Sequence, residues 1–473
     1  MTKYSIAVDI GASSGRLILG YLENGVLKLN EIHRFENKIV KKGEAFCWEA
    51  GKLFQEIKNG LHQCKQMGIK PDSIGIDTWA VDFVLLDEDD MPLTEAVSYR
   101  DPRTDGIMEQ VFGHIIKERL YLETGIQFQK FNTIFQLYSI KQSNPEILEK
   151  AKSFLMIPDY FNYLLTNKKV NEYTNATSTQ LVNAFTKKWD VQLLDLLGIN
   201  KEMFHEIKMP KTILGNLSEE LVGEIGFDMK VILPATHDTG SAVISVPEKE
   251  DTIYISSGTW SLIGVENYFP ICIMKALDYN FTNEGGLDYR YRFLKNIMGL
   301  WMIQEVKRNY QDVYSFAELV EMARAADSFK SLVDVNDDRF LKPENMVDEI
   351  RNYCQDTNQM QPNTPGEVAK CVFDSLAASY KLAVKEIEEI FEKQFKKINV
   401  IGGGCQNEML NQLVADVTGK EVNAGPVEAT AIGNIVAQLM ALNEIEDIKD
   451  ARAIIKKSFE IKKYLPAKHV LNQ

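Results

Sequence analysis

Residues 234–242, Pro-Ala-Thr-His-Asp-Thr-Gly-Ser-Ala, set a histidine and a carboxylate side by side near the midpoint of a 473-residue chain. An apolar run, Val231-Ile232-Leu233, leads in, and a small-residue helical pattern from Gly240 to Val246 leads out. His237 and Asp238 thus fall at an expected strand-to-helix junction. There, side chains and helix N–H groups can face a cleft together, and the N–H groups suit an anion. A plain cap of the helix by Asp238 or Thr239 fits the same residues. This stretch alone leaves both readings open.

Three other stretches carry chemistry. Asp9-Ile-Gly-Ala-Ser-Ser-Gly-Arg16 is a small-residue turn between two strand patterns, Tyr4–Asp9 and Leu17–Leu22. Neither GxxxxGK[ST] nor GxGxxG occurs, so no P-loop or dinucleotide fingerprint applies. A Gly- and Ser-rich hairpin still presents N–H groups and hydroxyls to phosphate oxygens, and Asp9 at its strand end suits a magnesium ion held through water. An ordinary hairpin turn explains the same residues. Thr252 to Gly264 repeats the pattern, with Ser256-Ser-Gly-Thr259 at its turn. Gly402-Gly-Gly404 follows the strand Ile398–Ile401 and opens a helix at Glu408. A tight turn needs one glycine. Three allow a flat ligand or a phosphate close to the backbone. Asp77 and Asp82 flank Trp79 inside an apolar run, and buried polar groups of this kind point to a site or to capped turns.

The elements that must hold these residues follow from periodicity. Helices are expected over Glu49–Met67, Gly366–Lys393 and Glu428–Met440, and over Phe293–Trp301 with Gln304 one turn on from Leu300. Glu172–Thr179 reads as a polar, Thr-rich loop. The charged turn Val246–Asp251 divides the chain into domains at 1–247 and 248–473. Because each half opens on the same hairpin, the two read as related domains facing one another across a cleft.

Composition excludes several classes. A net charge of −14 argues against a general nucleic-acid or anionic-membrane binder. No apolar run approaches a bilayer-spanning length, and Met1-Thr2-Lys3-Tyr4 runs straight into a strand pattern rather than a signal peptide. The 6 cysteines show no CxxC or ligand-like spacing. Reduced thiols and a cytoplasmic location are expected, with Cys354 and Cys371 the one pair that a disulfide would suit.

The two hairpins and the glycine turn resemble the actin-like ATPase fold shared by sugar kinases. Along essentially the whole chain the arrangement resembles the FGGY family of carbohydrate kinases. The strings Ile76–Leu86, Tyr99-Arg-Asp101, Glu172-Tyr-Thr-Asn-Ala176, Asn283-Glu-Gly-Gly286 and Leu294–Trp301 resemble members that act on L-rhamnulose. The resemblance implies an α/β protein of two actin-like, ribonuclease H-like domains, each with a mixed five-stranded sheet flanked by helices. It implies transfer of the ATP γ-phosphoryl group to the 1-hydroxyl of L-rhamnulose, with Asp238 as catalytic base. Ala80, His237, Asp238, Thr239 and Asn296 would bind the sugar. Ala12, Ser13, Ser14, Gly15, Arg16, Thr259, Gln304 and Gly402 would bind the nucleotide, and Mg2+ would bridge its phosphates with Asp9 as partner through water. Ala80 stands where the family pattern has a glycine. Two other readings stay in play: a kinase of another ketose such as L-fuculose or L-xylulose, and a non-catalytic actin-like nucleotide-binding regulator. The partners expected are the sugar and ATP, with no nucleic acid or membrane, in a monomer or weak homodimer.

Overall fold

The computed structural model describes residues 2–248 and 252–467. Part of the turn expected to divide the domains, 249–251, and the end of the tail, 468–473, lie outside the described residues. The chain forms two compact units. Unit 1 comprises Met1–Ser245, Glu266–Phe293 and Ala429–Ser458, and unit 2 comprises Val246–Val265, Leu294–Glu428 and Phe459–Gln473. The sequence reading had one cut, at 247/248. In the structure two later segments return to unit 1.

Unit 1 is built on strands β1 (Ser5–Ile10), β2 (Ser14–Glu23), β3 (Val26–Glu36), β4 (Ser73–Thr78), β5 (Ile213–Asn216) and β6 (Lys230–Ile232), in the sheet order β5-β6-β4-β1-β2-β3. β1 and β2 form the antiparallel hairpin, whereas β1, β4 and β6 run parallel. Every residue of β1 and β4 is buried, as befits central strands covered on both faces. Ligands of open α/β sheets collect beyond the carboxyl ends of parallel strands. Here those ends lead into the Gly11 turn, the Trp79-Ala80 loop and His237-Asp238.

Strands β7 (Thr252–Ser257), β8 (Trp260–Asn267), β9 (Thr282–Gly285), β10 (Tyr291–Met298), β11 (Lys397–Ile401), β12 (Glu421–Ala424) and β13 (Lys462–Tyr464) form the second sheet, in the order β9-β10-β8-β7-β11-β12-β13. β7 pairs antiparallel with β8 and parallel with β11, as β1 does with β2 and β4. The internal duplication is therefore one of topology as well as of sequence. The sheets hold six and seven strands, where five each were expected; β5 and β13 add antiparallel edges to parallel neighbours.

Three expected helices form as α1 (Ala50–Gln66), α6 (Pro365–Phe391) and α8 (Ala429–Ala441), with α7 (Glu408–Thr418) between the last two. Thr364 and Glu367 close a capping box on α6, which satisfies two of its orphan N–H groups. The helix expected over Phe293–Trp301 is instead strand β10, and α4 begins at Trp301 (Trp301–Asn309). Its apolar residues fit both periods, and sheet pairing decided between them. Gly299 makes the switch: a Cβ there would lie 2.6 Å from the Ser261 nitrogen. The expected loop at Glu172–Thr179 is a buried turn of helix, α2 (Tyr173–Thr177), for a reason the site makes plain. All 6 cysteines are free thiols; Cys354 and Cys371 are buried, with their side chains in hydrogen-bond contact.

Candidate active site

The His237–Asp238 junction is held from below by one buried carboxylate. Glu172 accepts from the backbone nitrogens of Thr174 (3.0 Å), Asn175 (3.3 Å) and Thr236 (3.0 Å), and from the hydroxyls of Thr174 (2.5 Å) and Thr236 (2.7 Å). Burial pushes its carboxyl up, and these donors oppose the shift. A buried carboxylate persists when its lone pairs are satisfied, and this one joins the start of α2 to the segment that precedes Asp238. Thr78 N donates to Thr236 O at 2.9 Å, which sets the ends of β4 and β6 side by side.

Asp238 opens helix α3 (Asp238–Ile244), with His237 as its N-cap residue. Asp238 Oδ1 accepts from Thr239 N at 2.5 Å and from Thr239 Oγ1 at 3.2 Å, and lies 3.4 Å from His237 Nε2. About a third of its side chain, 32 %, stays open. Burial is the main influence that raises its carboxyl pKa; His237 opposes the rise and Asp9 adds to it. His237 makes no side-chain cap bond, and the Asp238 contacts to Thr239 fall on one carboxylate oxygen. His237 is 7 % exposed and its backbone N donates to Thr174 Oγ1 at 3.2 Å.

Ala80 lies in the loop after β4. The next residue, Val81, takes φ 66, a strained conformation for a β-branched side chain. Its carbonyl accepts from Thr133 Oγ1 (2.7 Å) and Gln136 Nε2 (3.2 Å), and its nitrogen donates to Ser178 Oγ (3.3 Å). Asp82 accounts for the neighbouring tryptophans. Its Oδ2 accepts from the indoles of Trp48 (2.6 Å) and Trp79 (2.9 Å) and from Tyr99 N (3.1 Å). Burial pushes its carboxyl up to about 6. Trp79 is 5 % exposed and its ring lies 4.3 Å from that of Trp48. The Asp82–Trp79 pair is thus the rigid floor of the Ala80 loop.

The first hairpin places Ala12, Ser13 and Ser14 at its tip, with Gly11 N donating to Ser14 O at 2.9 Å and Asn37 Nδ2 to Gly11 O at 2.9 Å. Gly15 and Arg16 pair with Ile10 and Asp9 across the ladder. Arg16 donates to Asp9 Oδ2 through Nε (3.1 Å) and Nη2 (2.9 Å), so both contacts fall on one Asp9 oxygen. Asp77, on β4, is fully buried. Burial and then the nearby charge of Asp9 push its carboxyl well up. Asn434 Nδ2 donates to Asp77 Oδ2 at 2.6 Å, while Asp77 Oδ1 is buried with no partner among the described residues. The charge of Asp9 thus adds to the rise at both Asp77 and Asp238, and no cluster of three or more metal-ligating side chains occurs among the described residues.

The hairpin turn at Gly258-Thr259 accepts from the start of α4, Leu300 N to Gly258 O (3.0 Å) and Trp301 N to Thr259 O (3.1 Å). That contact orients Gln304. Gly402 takes φ 82, which favours glycine. A Cβ at Gly404 would meet Ser257 Oγ at 1.9 Å. Between the glycine turn, α4 and α5 (Phe316–Ala325) opens a pocket of about 540 Å³, lined by Gly258, Gln304, Gly403, Gly404, Phe316 and Val320 among others. Its size and apolar walls with few polar groups suit a flat organic ligand. Asn296 lies on β10 in unit 2, partly buried.

Sequence reasoning missed Glu172, Asn434 and Gln438 as buried hydrogen-bond partners of the site-bearing strands and their junctions. Asn434 and Gln438, four apart on the otherwise apolar α8, were the legible signal. Gln438 Nε2 donates to Ile6 O at 2.9 Å and Ser73 Oγ donates to Gln438 Oε1 at 2.7 Å.

The sequence model of the FGGY family of carbohydrate kinases, N-terminal domain, matches residues 4–245, and that of its C-terminal domain matches 253–442. Rhamnulokinase of Halalkalibacterium halodurans is 69% identical over 98% of this chain and 99% of its own length. Rhamnulokinase of Oceanobacillus iheyensis is 66% identical over 98% of each chain. Among solved structures, ligand-bound xylulose kinase from Lactobacillus acidophilus aligns with TM-score 0.81 at 19% identity, covering 98% of this chain and 94% of that one. A gluconate kinase from the same organism gives 0.82 at 19% identity, over 99% and 94%. With both family domains matched in order and the site elements at their strand ends, this chain belongs to the FGGY family of carbohydrate kinases.

Proposed function

We propose that the protein transfers the γ-phosphoryl group of ATP to the 1-hydroxyl of L-rhamnulose, giving L-rhamnulose 1-phosphate and ADP. The observation that carries this reading is an open carboxylate at the head of α3, in a chain 69% identical to a rhamnulokinase. Asp238 takes the proton of the sugar hydroxyl as that oxygen attacks phosphorus. Phosphoryl transfer has a loose transition state, so orientation and charge neutralisation carry most of the catalysis. His237, Thr239, Ala80 and Asn296 bind the sugar. The turn of Ala12–Arg16, with Thr259, Gln304 and Gly402, binds the nucleotide, and the unit 2 pocket takes its adenosine. Mg2+, when bound, would neutralise phosphate charge, and Asp9 would hold it through water. The free thiols are consistent with action in the cytoplasm.

A sugar panel with coupled ADP detection tests this. L-Rhamnulose should give the highest kcat/KM, with L-fuculose and L-xylulose below it. A higher value for another ketose changes the substrate, and ATP consumption indifferent to every sugar removes the kinase reading. Gly404→Ala tests the nucleotide assignment. Its Cβ forces Ser257 to shift, at a cost of about 1–3 kcal/mol, so the KM for ATP should rise about tenfold or more with the sugar KM unchanged. An unaltered ATP KM takes Gly404 out of the nucleotide site.

A further inference from the structure

Behind His237 lies a buried charge pair that the transfer reaction does not itself use. Glu284 sits on β9, which is anchored by Gly285 N donating to Thr177 Oγ1 at 2.8 Å. The Arg292 side chain, 1 % exposed, comes from β10, and its Nε donates to Gly285 O at 2.8 Å. Arg292 Nη2 is 3.1 Å from Glu284 Oε2 and 3.1 Å from His237 Nδ1, while Glu284 Oε2 is 3.2 Å from the same Nδ1. Three polar atoms thus form a near-equilateral triangle away from the Asp238 side of the ring.

The hydrogens on that triangle decide what His237 can do. A guanidinium has only donors, and Arg292 Nη2 meets hydrogen-bond geometry with His237 Nδ1. A nitrogen that accepts carries no hydrogen, so the ring hydrogen sits on Nε2, 3.4 Å from Asp238 Oδ1. This arrangement has one unfavourable approach, bare Nδ1 beside Glu284, and Arg292 lies against both atoms. The opposite tautomer gains a contact to Glu284 but sets two like groups face to face. Its Nδ1–H would meet the guanidinium, and its bare Nε2 would meet the Asp238 carboxylate. A doubly protonated ring would face both Glu284 and Asp238 favourably, but it would set an N–H donor and its charge 3.1 Å from the guanidinium nitrogen that now points at Nδ1.

We propose that Arg292, held in place by Glu284, fixes His237 as the Nε2–H tautomer, and that this hydrogen holds Asp238 by Oδ1 so that Oδ2 takes the substrate proton. Arg292 and Glu284 are then positioning residues, acting through His237. Oδ1 accepts from Thr239 N and Thr239 Oγ1 and lies 3.4 Å from the imidazole Nε2, so the basic lone pair left for chemistry is on the other oxygen. The catalytic consequence rests on Asp238 as the base; the tautomer does not.

The test is a proton–nitrogen correlation spectrum of the imidazole rings in the isotope-labelled full chain, in mildly alkaline buffer without sugar or nucleotide. The His237 signals are assigned by their absence from His237→Gln. The expected pattern is a bare Nδ1 and a protonated Nε2. In Arg292→Met, shown to be folded by circular dichroism, the hydrogen should move to Nδ1. Its kcat should fall about tenfold or more with the ATP KM unchanged. A parent ring with its hydrogen on Nδ1, or on both nitrogens, overturns the proposal without any variant. A folded Arg292→Met with an unaltered ring pattern does so too. The expected ring pattern in a protein that consumes ATP with no sugar dependence supports the tautomer and removes the kinase reading instead.

Discussion

Asp238→Asn lowers kcat by at least about 10²-fold, while ATP and L-rhamnulose still bind. The substitution keeps an oxygen to accept from Thr239 N, so the head of α3 survives. What it removes is the basic carboxylate oxygen. Asp238 is raised from the ordinary carboxylate range by burial, which brings its proton affinity nearer that of a working base. The arrangement of its neighbours suits the proposed role. Glu172 fixes the preceding segment, and one carboxylate oxygen is engaged while the side chain stays partly open. Calorimetric binding of each substrate together with single-turnover kinetics checks this. Turnover within a fewfold of the parent would return Asp238 to the status of a helix cap.

Gly433→Ala lowers stability by about 2 kcal/mol and the Tm by roughly 2–4 °C. Helix α8 packs across α3 at this glycine, and a Cβ there would lie 1.8 Å from the Ser241 carbonyl oxygen. That oxygen is backbone inside α3, so relief requires one helix to move away from the other. Overpacking of this kind costs about 1–3 kcal/mol and occasionally more, and the better helix propensity of alanine returns at most about 1 kcal/mol. Ser241 is one turn along from Asp238, so the displacement reaches the base as well. Thermal unfolding and kcat should therefore fall together. A Tm at or above the parent value would show that the crossing has room the geometry denies.

The two predictions divide along a line that runs through the whole protein. The strand-to-helix junction at Asp238 was legible because its signal is local: an apolar strand, a His-Asp pair and a small-residue helix follow one another between Val231 and Val246. The same holds for the two hairpins and the glycine turn, whose residue types are dictated by close backbone approach. The long helices were legible for a similar reason, since an amphipathic face repeats over many turns.

What failed or went unseen depends on partners distant in the chain. Phe293–Trp301 has apolar residues compatible with either period, and pairing in the second sheet made most of it a strand. Glu172–Thr179 is polar enough to read as loop, yet it is buried because Glu172 finds its donors at Thr236, 64 positions on. Arg292 and Glu284 surround His237 from 55 and 47 residues further on, with no local pattern to announce them.

By itself, then, the sequence determined the repeated hairpin-and-parallel-strand topology, the residue types at each strand end and the family to which they point. These follow from backbone sterics and periodicity, which act over a few residues. Only the tertiary structure decided how α8 returns to pack on unit 1, which oxygen of Asp238 is held, and which side chains stand behind His237. Those depend on burial. A buried polar group must be matched by whichever donor or acceptor the fold brings within about 3 Å, however far away that partner stands in the chain.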